Sequence, residues 1–195
     1  MDLKYISYSD YKKQGFDLSK IRNFNCGAEK FNLFLQDEID LWESKLSGVT
    51  YFLVDAEVGK LEDADIYAYA TLSTIGLLRK ETKKESYISG VEIRLFAINE
   101  KFRGVKNELG ILYSHIFFAI LLQDLWSAAT SVISFKMIFL QSNELGRSLY
   151  KKFGFVEVAE YLAPTEDDKI EIEDCVPMLC EISDELMYKA FEPNT

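Results

Sequence analysis

Four polar side chains recur at helical spacing around residue 147. Asn143 opens the run NELGRSLYKKFGF, and Arg147, Tyr150 and Lys151 follow within it. Positions three, four and seven apart recur on the same side of a helix, so these side chains should lie near one face. Gly154 is a plausible left-handed stop to that helix. A phenol can donate a proton and two cations can hold an anion, so this helix is a candidate for catalysis and for anion binding.

A second candidate is the loop KFRGVKNELG, which follows an apolar strand and precedes a long apolar helix. The start of a helix presents unpaired amides and the positive end of a dipole, which suit a phosphate. Arg103, Lys106 and Asn107 add donors, while Gly104 and Gly110 allow a ligand to approach the backbone. The glycine spacing matches neither a Walker loop nor a dinucleotide-binding fingerprint.

Charge is distributed unevenly along the 195 residues, whose net charge is −10. Residues 101–152 hold seven Lys and Arg against three Asp and Glu, a regional charge of +4. Residues 153–195 hold two against twelve, a regional charge of −10. The middle of the chain could therefore hold an anion that the C-terminal part would repel.

The elements that must position these residues follow from hydrophobic periodicity and turn residues. Strands are predicted at 3–8, 49–55, 66–74, 88–99, 133–141, 155–161 and 176–182, and helices at 28–46, 111–129 and 143–153, with a short last helix capped by Ser183. The second and third strands form an antiparallel hairpin around a charged turn at 57–65. Right-handed crossovers then make the middle strands parallel. We predict a three-layer α/β arrangement around one sheet, without a linker.

Several other classes of protein are disfavoured. The N-terminus lacks the pattern of a signal peptide, and no apolar run approaches the roughly 20 residues of a membrane span. Three scattered cysteines fit reduced thiols better than a disulfide framework. With one histidine in the chain, a zinc site is not expected. These features predict a cytoplasmic protein with no metal and no membrane contact.

Two of these motifs, with the elements between them, resemble a known family. VEIRLFAINEKFRG, a helix, a strand and NELGRSLYKKFGF together look like the GCN5-related N-acetyltransferase superfamily, over about residues 49–161. The family signature Asn-x-x-Ala-x-x-Leu-Tyr-x-x-x-Gly-Phe is matched at fixed spacing by Asn143, Gly146 in place of Ala, Leu149, Tyr150, Gly154 and Phe155. More weakly, FNCGAEKFNLFL looks like the Phe-x-Cys-Gly segment of one bacterial acetyltransferase subset.

The resemblance implies an α/β (α+β) fold, a single three-layer domain over residues 1–195 with a mixed sheet of about seven strands and helices on both faces. The cofactor-binding core would cover about residues 88–161, and 162–195 would form an acidic C-terminal region. Acetyl-CoA would be the co-substrate, and a primary amine would attack its thioester directly in a ternary complex.

The resemblance also implies site residues. Tyr150 would protonate the departing CoA thiolate, and Glu92 resembles the general base of the histone-acetyltransferase branch, although it could equally form a surface ion pair with Arg94. The implied cofactor-binding residues are Phe96, Ala97, Ile98, Arg103, Gly104, Val105, Lys106, Asn107, Gly110, Ile111, Asn143, Arg147, Tyr150 and Lys151. Because Lys106 and Glu108 stand where the usual pyrophosphate loop has small residues, we predict a lengthened loop in which Gly104 and Gly110 share that role.

The sequence does not decide which acceptor would receive the acetyl group. The acidic stretch TEDDKIEIED, residues 165–174, favours a positively charged amine: a small molecule such as a polyamine, or a Lys-rich peptide or protein. The FNCGAEKFNLFL segment instead points to toxins that modify aminoacyl-tRNA, although the net charge disfavours nucleic acid. A non-catalytic CoA-binding or interaction module is a further alternative, and a homodimer is left open.

Overall fold

The computed structural model describes residues 2–56, 64–81, 84–158, 175–184 and 186, and it describes 78–81 and 84–86 by their backbone alone. In chain order the elements are β1 (Leu3–Ser7), α1 (Tyr8–Lys13), α2 (Ser19–Arg22), α3 (Glu29–Leu33), a π-helical segment (Phe34–Glu38), α4 (Ile39–Ser44), β2 (Val49–Asp55), β3 (Ala68–Glu81), β4 (Lys84–Ile98), a 3₁₀ turn (Glu100–Phe102), α5 (Tyr113–Ser131), β5 (Met137–Ser142), α6 (Glu144–Lys152), β6 (Val156–Glu157) and β7 (Val176–Glu181).

Seven strands form one mixed sheet in the order β1-β2-β3-β4-β5-β7-β6. β4 and β5, which α5 connects, pair in parallel, as predicted for a crossover connection. The registers of β1 with β2, β2 with β3, β5 with β7 and β6 with β7 are antiparallel. The predicted fold class, a mixed sheet of seven strands with helices, is confirmed.

The chain divides into two compact units, Met1–Ser73 with Arg94–Leu121, and Thr74–Ile93 with Leu122–Thr195. The divisions fall inside β3, β4 and α5. The prediction of one domain over the whole chain stays a prediction, and much of its acidic C-terminal region (159–174, 185 and 187–195) lies outside the described residues.

The core of the first unit is aromatic. Phe52, Leu53 and Val54 of β2 are fully buried, and Leu53 packs with Ala68 of β3 and Phe117 of α5. The partly buried side chains around that cluster are Leu3, Tyr5, Tyr67, Phe96, Ile98, Phe102, Tyr113, Ile116 and Ile120. The end of β4 and the start of α5 are therefore held by one hydrophobic cluster, which fixes both ends of the intervening loop.

The core of the second unit is built on β5. This strand lies between β4 and β7 in the sheet, and its Ile138 and Leu140 are fully buried, as is Met178 of β7. A strand buried on both faces reads as an almost continuous apolar run, and β5 begins with one, MIFL, in which three consecutive residues are buried. Phe153 and Phe155, which flank the end of α6, are buried in the same unit.

The element boundaries differ from the predicted ones in several places. The sequence pattern did not predict α1 and α2. The third strand was predicted to end at residue 74, whereas β3 continues to Glu81, and the fourth was predicted to begin at 88, whereas β4 begins at Lys84. The charged residues of that stretch resemble a loop, but a neighbouring strand supplies the backbone partners that propensity alone cannot. α5 begins at Tyr113 rather than 111, and β5 at Met137 rather than 133.

Candidate functional site

α6 is capped at both ends as its sequence predicts. Asn143 is extended, with φ −72° and ψ 172°, and its side-chain oxygen accepts a hydrogen bond from the Gly146 amide at 2.9 Å. Gly154 has φ +83°, which an L side chain adopts only with strain. The Asn143 oxygen is therefore engaged in its own helix, and its role toward a cofactor stays a prediction.

Tyr150 is buried on α6. Its ring lies 5.9 Å from that of Phe155, between centroids, in a tilted arrangement. Burial, together with the nearby Cys175 thiol, raises the pKa of the Tyr150 phenol well above its ordinary value. The hydroxyl therefore carries its proton at any physiological pH, which a proton donor requires.

Gly146 leaves the room that the Tyr150 ring occupies. A Cβ at Gly146 would lie 2.8 Å from Tyr150 Cε2 and 3.0 Å from Ser142 Oγ. A helical side chain leans back over the turn before it, so residue 150 covers position 146. The ring position thus depends on glycine where the family signature has alanine.

Arg147 and Lys151 of α6 differ in what they contact. Lys151 Nζ lies 2.6 Å from Glu157 Oε1, and this hydrogen bond and charge lower the pKa of Glu157. Arg147 is half-buried, and its Nε is buried with no hydrogen-bond partner in the described part of the chain. A buried donor without a partner is unfavourable, so Arg147 has a hydrogen bond available for a ligand.

Glu92 occupies the parallel ladder, opposite Phe139 of β5. Along β4 the side chains of Ile93, Leu95 and Ala97 are buried, while Glu92 and the other alternate positions are half-buried, as the alternation predicts. Arg94 directs its Nε to Ser73 Oγ at 3.3 Å and its guanidinium over the Trp42 ring at 5.2 Å. The choice between a general base and an ion pair for Glu92 stays open.

The last residues of β4 are Phe96, Ala97 and Ile98. Phe96 packs edge-on against Phe118 of α5, with 5.1 Å between ring centroids, and Ala97 is buried. The parallel register of β4 with β5 runs from Gly90 to Ile93 and ends before these residues.

The loop after β4 is closed by its own hydrogen bonds. Asn107 Oδ1 accepts from the amides of Leu109 (3.0 Å) and Ile111 (2.9 Å), and the Asn107 amide donates to the Ile111 carbonyl at 2.8 Å. The Tyr113 amide donates to the Val105 carbonyl at 3.0 Å, so Lys106 and Leu112 face each other as a bridge. The lengthened loop is thus a small hairpin that delays the start of α5.

These bonds restrict which amides of the loop could meet a phosphate. In the described structure the amides of Gly104, Lys106, Glu108 and Leu112 have no hydrogen-bond partner, and the lysine and glutamate side chains are exposed. Gly104 and Gly110 have φ +71° and +79°, with nothing within 4 Å of an added Cβ. Both glycines therefore face open space.

Arg103 is directed away from the open side of the loop. Its Nη2 donates to the Cys26 carbonyl, and an added Cβ on Gly27 would lie 3.4 Å from its Nη1. The guanidinium therefore lies over the FNCGAEKFNLFL segment, a contact that the sequence pattern did not predict. Its predicted role as a phosphate ligand stays a prediction.

The predicted site residues fall into two groups. The first unit contains Phe96–Ile98 and the loop from Arg103 to Ile111. The second unit contains Glu92 and, on α6, Asn143, Arg147, Tyr150 and Lys151. Among the described residues, no group of three or more His, Cys, Asp and Glu could hold a metal ion. No helix in the described ranges is long and apolar enough to cross a membrane.

No protein-family model and no curated protein sequence matches the chain. Several solved structures match the chain. A mutant of the AtaT toxin bound to acetyl-CoA and the C-terminus of the antitoxin AtaR is 20% identical, with a TM-score of 0.65 over 98% of this chain and 100% of that one. AtaT complexed with acetyl-methionyl-tRNAfMet is 21% identical, with a TM-score of 0.64 over 96% and 99%. A KacTA–DNA complex is 19% identical, with a TM-score of 0.63 over 96% and 97%.

The likeness extends over nearly the whole length of both chains. The chain has the fold of the GCN5-related N-acetyltransferases that its motifs resemble.

Proposed function

We propose that this chain transfers the acetyl group of acetyl-CoA to the amine of an aminoacyl-tRNA. The observation that carries the proposal is the position of Tyr150, which is buried on a helix capped by Asn143, at the spacing of the family signature. The acceptor is proposed from the similarity to AtaT complexed with acetyl-methionyl-tRNAfMet. The proposal favours the toxin alternative over a small-molecule enzyme.

The described residues fit acetyl-CoA in three respects. The amides of Phe96–Ile98 follow the end of the β4–β5 register, where an extended pantetheine arm could add like a strand. The amides of Gly104, Lys106 and Leu112 suit a pyrophosphate. In the second unit, taken by itself, Arg147 Nε is a buried donor with no partner among the described residues, and an acceptor atom of a ligand would satisfy it.

In the proposed reaction acetyl-CoA supplies an acyl group activated as a thioester. The neutral amine of the acceptor forms the new C–N bond as the C–S bond breaks. Glu92 accepts the proton that the amine loses, and Tyr150 donates its proton to the departing sulfur.

A small cationic amine is the second candidate acceptor. The charge of −10 over residues 153–195 favours a cation, although residues 165–174 lie outside the described structure. A basic peptide or protein belongs to the same candidate. A homodimer and an antitoxin-like partner are further proposals, the latter because AtaT is seen bound to AtaR.

The test supplies labelled acetyl-CoA with aminoacylated tRNA, deacylated tRNA, polyamines and a Lys-rich peptide. We expect label on aminoacylated tRNA alone. Tyr150→Phe should lower kcat about 10²-fold and leave the Kd of acetyl-CoA unchanged. Tyr87→Phe is the matched control, because that hydroxyl is on an exposed side chain. Label on polyamines alone would select the second candidate, and binding of acetyl-CoA without transfer to any amine would leave a non-catalytic module.

A further inference from the structure

The FNCGAEKFNLFL segment forms a closed hydrogen-bonded turn in the first unit. Gly27, with φ +73°, makes the turn, and its amide donates to Asn25 Oδ1 at 2.8 Å. Asn32 Nδ2 donates to the same oxygen at 2.9 Å, and Asn32 Oδ1 accepts from the Cys26 amide at 3.0 Å. The Asn32 side chain therefore bonds directly to the Cys26 amide and, through Asn25 Oδ1, supports the side chain that accepts from the Gly27 amide.

This turn is joined to the chain after β4 at two places. The Glu100 amide donates to the Asn25 carbonyl at 2.9 Å, and Asn25 Nδ2 donates to Glu100 Oε1 at 2.7 Å. Arg103 then donates to the Cys26 carbonyl. Because Arg103 is the first residue of the loop that closes on Asn107, its guanidinium fixes where that loop begins.

We infer that Arg103 and the Asn25–Asn32 turn are positioning residues, which hold the loop 104–112 in place for the cofactor, and that Arg103 is not itself a phosphate ligand. The inference rests on the proposed function in that the loop must hold acetyl-CoA. Asn32 accepts from the amide of Cys26, the residue whose carbonyl Arg103 contacts, and a charged donor on that carbonyl makes one of the stronger kinds of hydrogen bond. A guanidinium engaged there leaves the phosphates to the loop amides.

The two roles for Arg103 predict different results for Asn32→Ala. Asn32 is distant in sequence from the loop and bonds only to the turn, so its loss affects acetyl-CoA only through the turn. We expect Asn32→Ala and Arg103→Ala each to raise the Kd of acetyl-CoA about fivefold. The double variant should raise that Kd by much less than the product of the two single increases, because both changes disturb the same contact. Gln36→Ala is the matched control, because Gln36 donates to the Arg22 carbonyl, outside the turn.

Salt dependence separates the roles further. Removing a direct phosphate ligand reduces the dependence of the Kd on ionic strength, whereas removing a positioning residue leaves it as in the unaltered chain. An unchanged Kd in Asn32→Ala, with a reduced salt dependence in Arg103→Ala, would overturn the inference in favour of a phosphate ligand.

Amide hydrogen exchange tests the inference without cofactor. The amides of Glu100, Arg103 and Val105 should exchange about tenfold faster in Asn32→Ala than in Gln36→Ala. Equal exchange in the two variants would overturn the inference even if acetyl-CoA binds. Failure of the unaltered protein to bind acetyl-CoA would instead contradict the proposed function, and the exchange result would still decide whether the turn holds the loop.

Discussion

Replacing Gly146 by alanine tests whether the position of the Tyr150 ring matters. The added Cβ would lie 2.8 Å from Tyr150 Cε2, against the roughly 3.5–4.0 Å of an ordinary carbon–carbon contact. Ser142 Oγ, at 3.0 Å, blocks the other direction, because Ser142 is buried and its hydroxyl bonds to the Asn143 carbonyl at 2.8 Å. The ring must therefore move, by about 0.7 Å or more.

Two effects on stability oppose each other in this variant. Alanine is favoured over glycine in a helix by up to about 1 kcal/mol. Overpacking a buried contact costs about 1–3 kcal/mol. We therefore expect the free energy of unfolding to fall by about 0–2 kcal/mol, so that the protein remains folded.

The effect on turnover should be larger. A displacement near 1 Å in a catalytic group can lower a rate about 10²-fold, so kcat of Gly146→Ala should fall by about 10- to 100-fold. The assay is acetyl transfer with saturating acetyl-CoA, with the Kd of acetyl-CoA measured in parallel. Ser148→Ala, at an exposed position of the same helix, raises helix propensity without approaching the ring. A kcat for Gly146→Ala within twofold of the Ser148→Ala value would refute the link between ring position and catalysis.

Two further predictions concern stability. Gly48→Ala should lower the free energy of unfolding by about 3 kcal/mol or more, and with it the unfolding temperature. The reason is that its Cβ would lie 2.5 Å from the Leu72 carbonyl oxygen and 2.7 Å from Trp42 Nε1. Gly76→Ala, with nothing within 4 Å, is the control in a thermal melt. Burial, helped by a hydrogen bond to a carboxylate, raises the pKa of Tyr8 to about 12. Because the unfolded chain loses that proton near pH 10, the free energy of unfolding should fall as pH rises from about 10 to 12. Measured by urea titration, Tyr8→Phe should reduce the slope of that free energy against pH by up to about 1.4 kcal/mol per pH unit. An unchanged slope would contradict this.

The parts of the site that the sequence predicts are local. The cap at Asn143, the stop at Gly154 and the common face of α6 depend on residues within two or three turns of one helix. The β2–β3 hairpin and the parallel β4–β5 pair follow from alternation and from the handedness of the crossover. Such features need no knowledge of distant contacts.

The parts that the sequence does not predict depend on distant pairs or on competition for one donor. Arg103 and Cys26 are separated by 77 positions, so no periodicity could join them. Asn107 was a plausible phosphate donor by type, but its side-chain oxygen closes the loop instead. The length of β3 is hard to predict because its last three residues are charged and β3 has another strand as its hydrogen-bonded neighbour.

Net charge is a weak guide to the acceptor of this chain. The overall −10 argues against nucleic acid, yet the carboxylates are concentrated after residue 153, while 101–152 carries +4. Within the basic block Lys151 is paired with Glu157, and the charge of Arg147 also acts on Glu157, although Arg147 Nε has no hydrogen-bond partner in the described residues. The cations that matter for a polyanion are those not already neutralised, and screening limits each to about 8–10 Å at physiological salt. The overall charge of −10 therefore does not by itself decide between a cationic amine and the proposed aminoacyl-tRNA as acceptor.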